Sequence, residues 1–188
     1  GCDFNNYRMG AHDFYGPGKE LDSTKPLTVV TQFITDDNTD TGNLVEIRRI
    51  YIQDGKVIAN ADSEIENVTG NTMTDEFCNS QKKAFGDYDH HQVKGGLVSM
   101  GETLKRGMVL SLSIWDDFST HMAWLDAHFP EDKNITEPGV LRGPCDGSSS
   151  DPEYVREHHS DSFVKYSNIK YGDIGSTFAN SRRLEVHV

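Results

Sequence analysis

The stretch Leu27-Thr-Val-Val-Thr-Gln-Phe-Ile34, Asp36-Asp-Asn-Thr-Asp-Thr-Gly42, Leu44-Val-Glu-Ile-Arg-Arg-Ile-Tyr-Ile-Gln53, Asp54-Gly-Lys-Val-Ile-Ala59 decides the fold class. Its first run is rich in β-branched residues and is bounded by Pro26 and a polar segment, which predicts a strand. Residues 36–42 hold no apolar side chain that could anchor in a core, so they read as an exposed hairpin loop. Leu44 to Gln53 gives a second strand. Asp54-Gly55 supplies residues suited to positive φ and returns the chain into Lys56–Ala59, the third strand of a β-meander.

Downstream, Asp75-Glu-Phe77 and Gln81-Lys-Lys-Ala-Phe85 place acids early and lysines late, which complements a helix dipole and predicts a short helix. Leu97, Met100, Leu104 and Met108 recur at three- and four-residue spacing and predict a second, which Gly107 helps to end. Met108-Val-Leu-Ser-Leu-Ser-Ile-Trp115 alternates most cleanly. As a strand it puts Leu110, Leu112 and Ile114 on one face and Ser111, Ser113 and Trp115 on the other. Residues 141–157 read as a Gly/Ser/Pro/Asp-rich surface loop. Ser162–Tyr171 reads as a last strand with mixed alternation, leaving through a turn at 172–176, and residues 179–188 read as tail or linker. Strands with long loops, and short helices confined to connections, argue for an all-β antiparallel sandwich over a parallel α/β fold.

Eighteen basic against thirty acidic residues give a net charge of −12 over 188 residues, which repels phosphate backbones and anionic lipid, so nucleic acid and membrane are not expected partners. No apolar run approaches the ~18 residues of a membrane helix. Cys2, Cys78 and Cys145 form an odd set without C-x-x-C spacing, which removes the common zinc and thioredoxin readings. Two sequons, Asn67-Val-Thr69 and Asn134-Ile-Thr136, together with widely spaced cysteines favour an oxidising, extracellular compartment and a glycosylated protein.

Chemistry concentrates in Ser111-Leu-Ser-Ile-Trp-Asp-Asp117 and in Trp124, which lies nine residues beyond Trp115. Small hydroxyls beside an indole form a trough in which a sugar ring meets an aromatic plane and finds hydrogen-bond partners. The same residues also read as an ordinary aromatic cluster, with Asp116 as an N-cap. The pairs His90-His91 and His158-His159 lack i,i+4 spacing and a neighbouring cysteine ligand, so no metal or other cofactor is expected. No Gly-x-Ser-x-Gly elbow is present. Glu64 and Glu66 have the alternate spacing of a strand-borne carboxylate pair, yet they stand in a polar stretch as ordinary solvated acids.

The segments Gly1-Cys-Asp-Phe-Asn-Asn-Tyr-Arg-Met-Gly10, Phe14-Tyr-Gly-Pro-Gly18, Leu27-Thr-Val-Val-Thr-Gln-Phe33, Ser113-Ile-Trp-Asp-Asp117, Met122-Ala-Trp-Leu-Asp126, Pro138-Gly-Val-Leu-Arg-Gly143 and Tyr166-Ser-Asn-Ile-Lys-Tyr-Gly-Asp-Ile-Gly-Ser176 follow in one order. Gly95-Gly-Leu97 and Gly107-Met-Val-Leu110 fall in sequence between them. The series resembles the C-terminal half of glycoside hydrolase family 7, cellobiohydrolases and endoglucanases that cleave β-1,4-glucan with retention. The likeness covers Gly1 to about Phe178.

That resemblance implies a curved antiparallel β-sandwich, a concanavalin-like jelly roll present here as a partial domain, whose concave face binds cellulose or cello-oligosaccharides. Trp115 matches a stacking platform on the substrate side of the cut and Trp124 one on the product side. Asp3, Arg8 and Arg142 match polar groups around the product sites, and Ser113 and Asp116 line the groove nearby. Phe129 stands where many exo-acting members carry Tyr. Cys2 and Cys78 match a family disulfide, while Cys145 matches a cysteine whose mate lies outside this chain. The family's catalytic Glu-x-Asp-x-x-Glu strand has no counterpart here, since Glu20-Leu-Asp22 continues as Ser23-Thr24-Lys25. The resemblance therefore implies a fragment without catalytic carboxylates, whose partner is the missing N-terminal half of the same domain. A noncatalytic, lectin-like sandwich is the alternative reading.

Overall fold

A computed structural model describes residues 1–178; the expected tail at 179–188 lies outside the described residues. The strands are β1 (Tyr15–Gly16), β2 (Leu21–Asp22), β3 (Thr28–Thr35), β4 (Leu44–Gln53) and β5 (Lys56–Ala59). The helices are α1 (Asp75–Phe85), α2 (His90–Val93), α3 (Gly96–Lys105), α4 (Ala123–Asp126) and α5 (Pro152–His158).

The predicted meander forms a three-stranded antiparallel sheet in the order β3-β4-β5, with Thr28 opposite Ile52, Phe33 opposite Ile47 and Ile50 opposite Ala59. Asp54 (φ 51°) and Gly55 (φ 73°) both take the left-handed conformation that a two-residue hairpin turn requires. Residues 36–42 form the expected loop, exposed over 36–41 and buried at Gly42. The sequence does not announce β1 and β2, a two-residue parallel pair of Tyr15 with Leu21 and Gly16 with Asp22.

Helix α1 starts where the acids predict. Thr74 caps it by accepting the Phe77 N–H at 3.1 Å, an interaction worth about 1 kcal/mol. Gly86 ends it in the left-handed region (φ 66°), its N–H bonded to the carbonyls of Lys82 and Lys83. The buried face of α1 places Phe77, Cys78 and Phe85 against Met9 and Val68, and the disulfide Cys2–Cys78 ties the N-terminal segment to this cluster. Fully buried Gln81 donates from Nε2 to the Asp3 carbonyl at 2.7 Å. Helix α3 packs on the sheet at Gly101, where a Cβ would stand 2.8 Å from that of Leu44. It stops at Lys105, so Met108 falls outside it.

Three expectations need correction. Met108–Trp115 and Ser162–Tyr171 form no β-ladder, because neither runs beside another strand among the described residues. The first alternates cleanly and the second in part, yet Val109, Leu110, Ile114, Phe163 and Ile169 are all exposed, and a side-chain hydrogen bond between the two segments runs from Tyr166 Oη to the Ser113 carbonyl at 3.1 Å. A strand needs a neighbour, and periodicity cannot say which chain supplies it. The loop at 141–157 instead runs into α5, which Asp151 caps by accepting the Glu153 and Tyr154 N–H groups and which opens on the buried Pro152.

Candidate functional site

The two tryptophans face each other. The ring centroids of Trp115 and Trp124 are 5.7 Å apart with planes tilted by 34°; Trp115 is exposed and Trp124 half-buried. Trp124 rides on α4, a single turn that enters through two successive left-handed residues, His121 (φ 49°) and Met122 (φ 60°), without a side-chain cap. Asp116 is therefore not an N-cap. Its neighbour Asp117 organises the preceding turn. Asp117 Oδ1 accepts the Ser119 N–H at 2.9 Å and the Thr120 N–H at 3.3 Å, while Oδ2 accepts the Thr120 hydroxyl and, at 3.0 Å, the indole Nε1–H of Trp124. The Thr120 hydroxyl and then the Ser119 N–H draw the Asp117 carboxyl down to about 2, so it is ionised throughout the ordinary pH range.

Arg142 holds Trp124 and Phe129 from the other side. Its Nη1 donates to the Trp124 carbonyl at 3.2 Å, its Nε to the Phe129 carbonyl at 3.2 Å, and its guanidinium carbon stands 5.2 Å from the Phe129 ring centre. Burial, then the nearby charge of Arg8, lowers the Arg142 pKa from its ordinary value. The chain 127–129 runs antiparallel to 140–142 through Arg142 N–H to the Ala127 carbonyl (2.8 Å) and Phe129 N–H to the Val140 carbonyl (3.1 Å). Asn5 joins the N-terminal segment to this pair by donating to the carbonyls of Leu125 and Arg142 at 3.2 and 3.0 Å. A Cβ at Gly143 would collide with the Asp126 backbone, so glycine permits the close approach.

Arg8 lies deeper than a groove-lining residue would. It is buried, with Nε on the Gly139 carbonyl at 2.8 Å, Nη1 on both Asp3 oxygens at 3.0 and 3.1 Å, and its guanidinium 4.4 Å from the Phe85 ring centre. Asp3, half exposed, presents the outer face of that pair. Asp116 is engaged by Arg156 of α5, at 3.1 Å from Nε and 2.9 Å from Nη2. Asp151, at the start of the same helix, lies 3.4 Å from His121. Ser113 is exposed and its carbonyl takes the Tyr166 hydroxyl. Trp115, Trp124, Asp116, Arg142 and Phe129 are thus linked through α4, α5 and the 127–142 crossing, and Asp3 and Arg8 are linked to them through Asn5 and Gly139.

Sequence reasoning placed Asp117 in the Ser111–Asp117 segment without giving it a role, and missed Asn5 and Arg156. The spacing Asp117-Phe-Ser-Thr120 is an Asx-type turn signal that nominates Asp117, and Asp151-Pro152 signals the helix that carries Arg156. The His pairs go elsewhere: His91 Nε2 bonds Asp75 at 2.7 Å, and His158 stacks on Tyr154 with centroids 4.2 Å apart. Both sequon asparagines, Asn67 and Asn134, are exposed. Cys145 is a free, exposed cysteine beside Asp126; burial of its sulfur and then the Asp126 charge raise the thiol pKa. No helix among the described residues is long and apolar enough to cross a membrane.

The sequence model of glycosyl hydrolase family 7 matches residues 1–178. The chain belongs to that family. A family 7 cellobiohydrolase from Daphnia pulex superposes with a TM-score of 0.81 at 49% identity, over 84% of this chain and 36% of the other. The cellobiohydrolase from Melanocarpus albomyces complexed with cellotetraose gives 0.77 at 35% identity, over 86% and 35%. The native endocellulase from Humicola insolens gives 0.68 at 36%, over 84% and 35%. This family 7 chain therefore spans about a third of the length of the relatives it matches. Its fold is that of the family's jelly-roll sandwich, of which the described residues form the β3-β4-β5 sheet and its helical connections.

Proposed function

We propose that this chain is the C-terminal part of the catalytic domain of a secreted cellulase that hydrolyses β-1,4-glucosidic bonds with retention, of the cellobiohydrolase rather than the endoglucanase type. The observation that carries the reading is the Trp115–Trp124 pair, two indoles at 5.7 Å with Asp117 and Arg142 bracing the second. Aromatic planes flanked by carboxylates and a guanidinium suit the apolar faces and equatorial hydroxyls of glucosyl units. The Melanocarpus relative carries cellotetraose, which supports a cello-oligosaccharide ligand. The preference for the exo-acting form rests on the Daphnia cellobiohydrolase at 49% identity, since the Melanocarpus cellobiohydrolase and the Humicola endocellulase stand level at 35% and 36%.

Trp115 serves the substrate side, and Trp124, Phe129, Arg142 and Asp3 the product side, with Ser113 and Asp116 lining the groove nearby and Arg8 acting through Asp3. The groups that protonate the glycosidic oxygen and attack the anomeric carbon come from the Glu-x-Asp-x-x-Glu strand, which this sequence lacks. The missing N-terminal half docks along the exposed segments Met108–Trp115 and Ser162–Tyr171, supplies their strand partners and receives Cys145 in a disulfide. Secretion and glycosylation at Asn67 and Asn134 accord with the exposed sequons and the Cys2–Cys78 bridge.

The test is direct. The purified 188-residue chain should not turn over a soluble cello-oligosaccharide reporter, whereas the full-length protein carrying it should, releasing a product with retained configuration. Trp124→Ala in that protein should weaken cello-oligosaccharide binding at least tenfold. Turnover by the isolated chain overturns the division of labour, and unchanged binding by the Trp124→Ala protein overturns the groove.

A further inference from the structure

The platform reading of Trp124 leaves one question: what fixes the plane of its ring. A four-residue helix cannot hold a side chain by its own cooperativity, and α4 has no capping side chain. The ring touches Trp115, but an aromatic contact alone permits sliding and tilting. The one directional bond to the indole is Nε1–H to Asp117 Oδ2 at 3.0 Å.

Asp117 is suited to anchoring. Its two oxygens accept four donors, three of them from its own turn at Ser119 and Thr120, so the carboxylate is immobilised before it meets the indole. The turn is closed again by His121 N–H to the Asp117 carbonyl at 3.0 Å. A charged acceptor makes a stronger and more directional bond than a neutral one. Behind the ring, Arg142 fixes the Trp124 carbonyl and so its backbone, which leaves the χ angles to Asp117. On the far side of the turn, Asp116 is occupied by Arg156, so only the second acid of the Asp-Asp pair serves the indole.

We propose that Asp117 is a positioning residue for sugar binding: its carboxylate, held by the Ser119–Thr120 turn, orients the Trp124 indole against Trp115 and so sets the angle at which the product-side sugar is stacked. This deepens the proposed function and rests on it. The role is distinct from folding support, because it acts through a single N–H that can be removed from the other end.

The experiment is a double-mutant cycle in the full-length protein carrying this chain, with the product-sized cellobiose as the probe by calorimetry. Asp117→Ala should weaken binding about tenfold, the size of one charge-assisted hydrogen bond. Asp117→Asn keeps an acceptor and should lose about threefold or less. Trp124→Phe keeps a ring without the N–H, and adding Asp117→Ala to it should change affinity by less than about twofold. An equal loss from Asp117→Ala in both backgrounds would make Asp117 a turn residue only and overturn the proposal. Should Asp117→Ala fail to fold, the indole N–H signal of Trp124 in 15N spectra decides it: protection from exchange in the native protein that persists unchanged in Asp117→Asn and falls in Thr120→Ala supports the anchored carboxylate, and no protection in the native protein refutes it. Loss of binding in Trp124→Ala with none in Asp117→Ala sinks this inference alone, whereas no loss in Trp124→Ala sinks the platform itself.

Discussion

Arg8 reaches Asp3 with Nη1 3.0 Å from Oδ1 and 3.1 Å from Oδ2, and the partners differ sharply in exposure: the Arg8 side chain is 4% accessible and that of Asp3 48%. The arginine is therefore the structural member and the aspartate the presenting one. Arg8 also meets the Gly139 carbonyl and the Phe85 ring, which lie inward, and the exposed Asp87 at 3.6 Å.

Removing the two partners should have unequal effects on stability. Arg8→Ala leaves the buried Gly139 carbonyl unpaired and opens a void over Phe85, and these two costs together predict a loss of about 3 kcal/mol in denaturant unfolding. Asp3→Asn should lose about 1 kcal/mol or less while weakening product binding. Equal losses for the two variants would show that the pair acts as a surface bridge.

The Cys2–Cys78 disulfide closes a loop spanning a sequence separation of 76 and joins the N-terminal segment to α1 beside Met9 and Phe77. Constraint of the unfolded chain by a loop of that length corresponds to about 4 kcal/mol. The double variant Cys2→Ala, Cys78→Ala should unfold at correspondingly lower denaturant, and a midpoint unchanged from the parent would argue that the anchor is the apolar cluster alone.

Cys145 should be a slow nucleophile in the isolated chain. Burial and the Asp126 carboxylate hold its thiol above the ordinary range, while burial also raises the Asp126 pKa and leaves its Oδ1 without a hydrogen-bond partner. At pH 8, alkylation by iodoacetamide should lag behind a free thiol and accelerate in Asp126→Asn, because removing the negative charge lowers the thiol pKa and raises the thiolate fraction. A slower reaction in Asp126→Asn would reverse the sign of this electrostatic argument.

The meander was legible because its evidence is local: β-branched runs, a wholly polar loop and an Asp-Gly turn occur within one stretch of chain, and β4 and β5 fall where they were expected. Helix α1 was legible for the same reason, through the early acids and late lysines, while its Thr74 cap and Gly86 stop came from the structure. Met108–Trp115 was not, since its alternation records two faces but not the strands that should flank it. Local sequence singled out Trp124 and the resemblance added Arg142, yet the bonds from Asp117 and Arg142 to Trp124 depend on how one turn and one crossing meet, which no spacing rule encodes. The resemblance offers Arg8 as a polar group around the product sites, and its burial against Phe85 and Gly139 gives it a structural role that no sequence signal announces.

The depressed Asp117 carboxyl sets a sign for acid behaviour. A group whose folded pKa falls to about 2, below the ordinary 3.8, contributes stability that is fully present above the unfolded value and disappears as pH drops through the folded one. The Trp124 environment should accordingly hold steady from pH 7 down past 4 and change only as pH approaches about 2. Tryptophan emission in a Trp115→Phe background of the 188-residue chain, which leaves Trp124 as its sole indole, reads this, with far-UV circular dichroism recorded alongside to mark global unfolding. In Asp117→Asn the acid step should vanish, because the amide does not titrate. An emission step centred near pH 4 with secondary structure intact would mean that the carboxylate is not held by Ser119 and Thr120, and the anchoring of the indole would lose its physical basis.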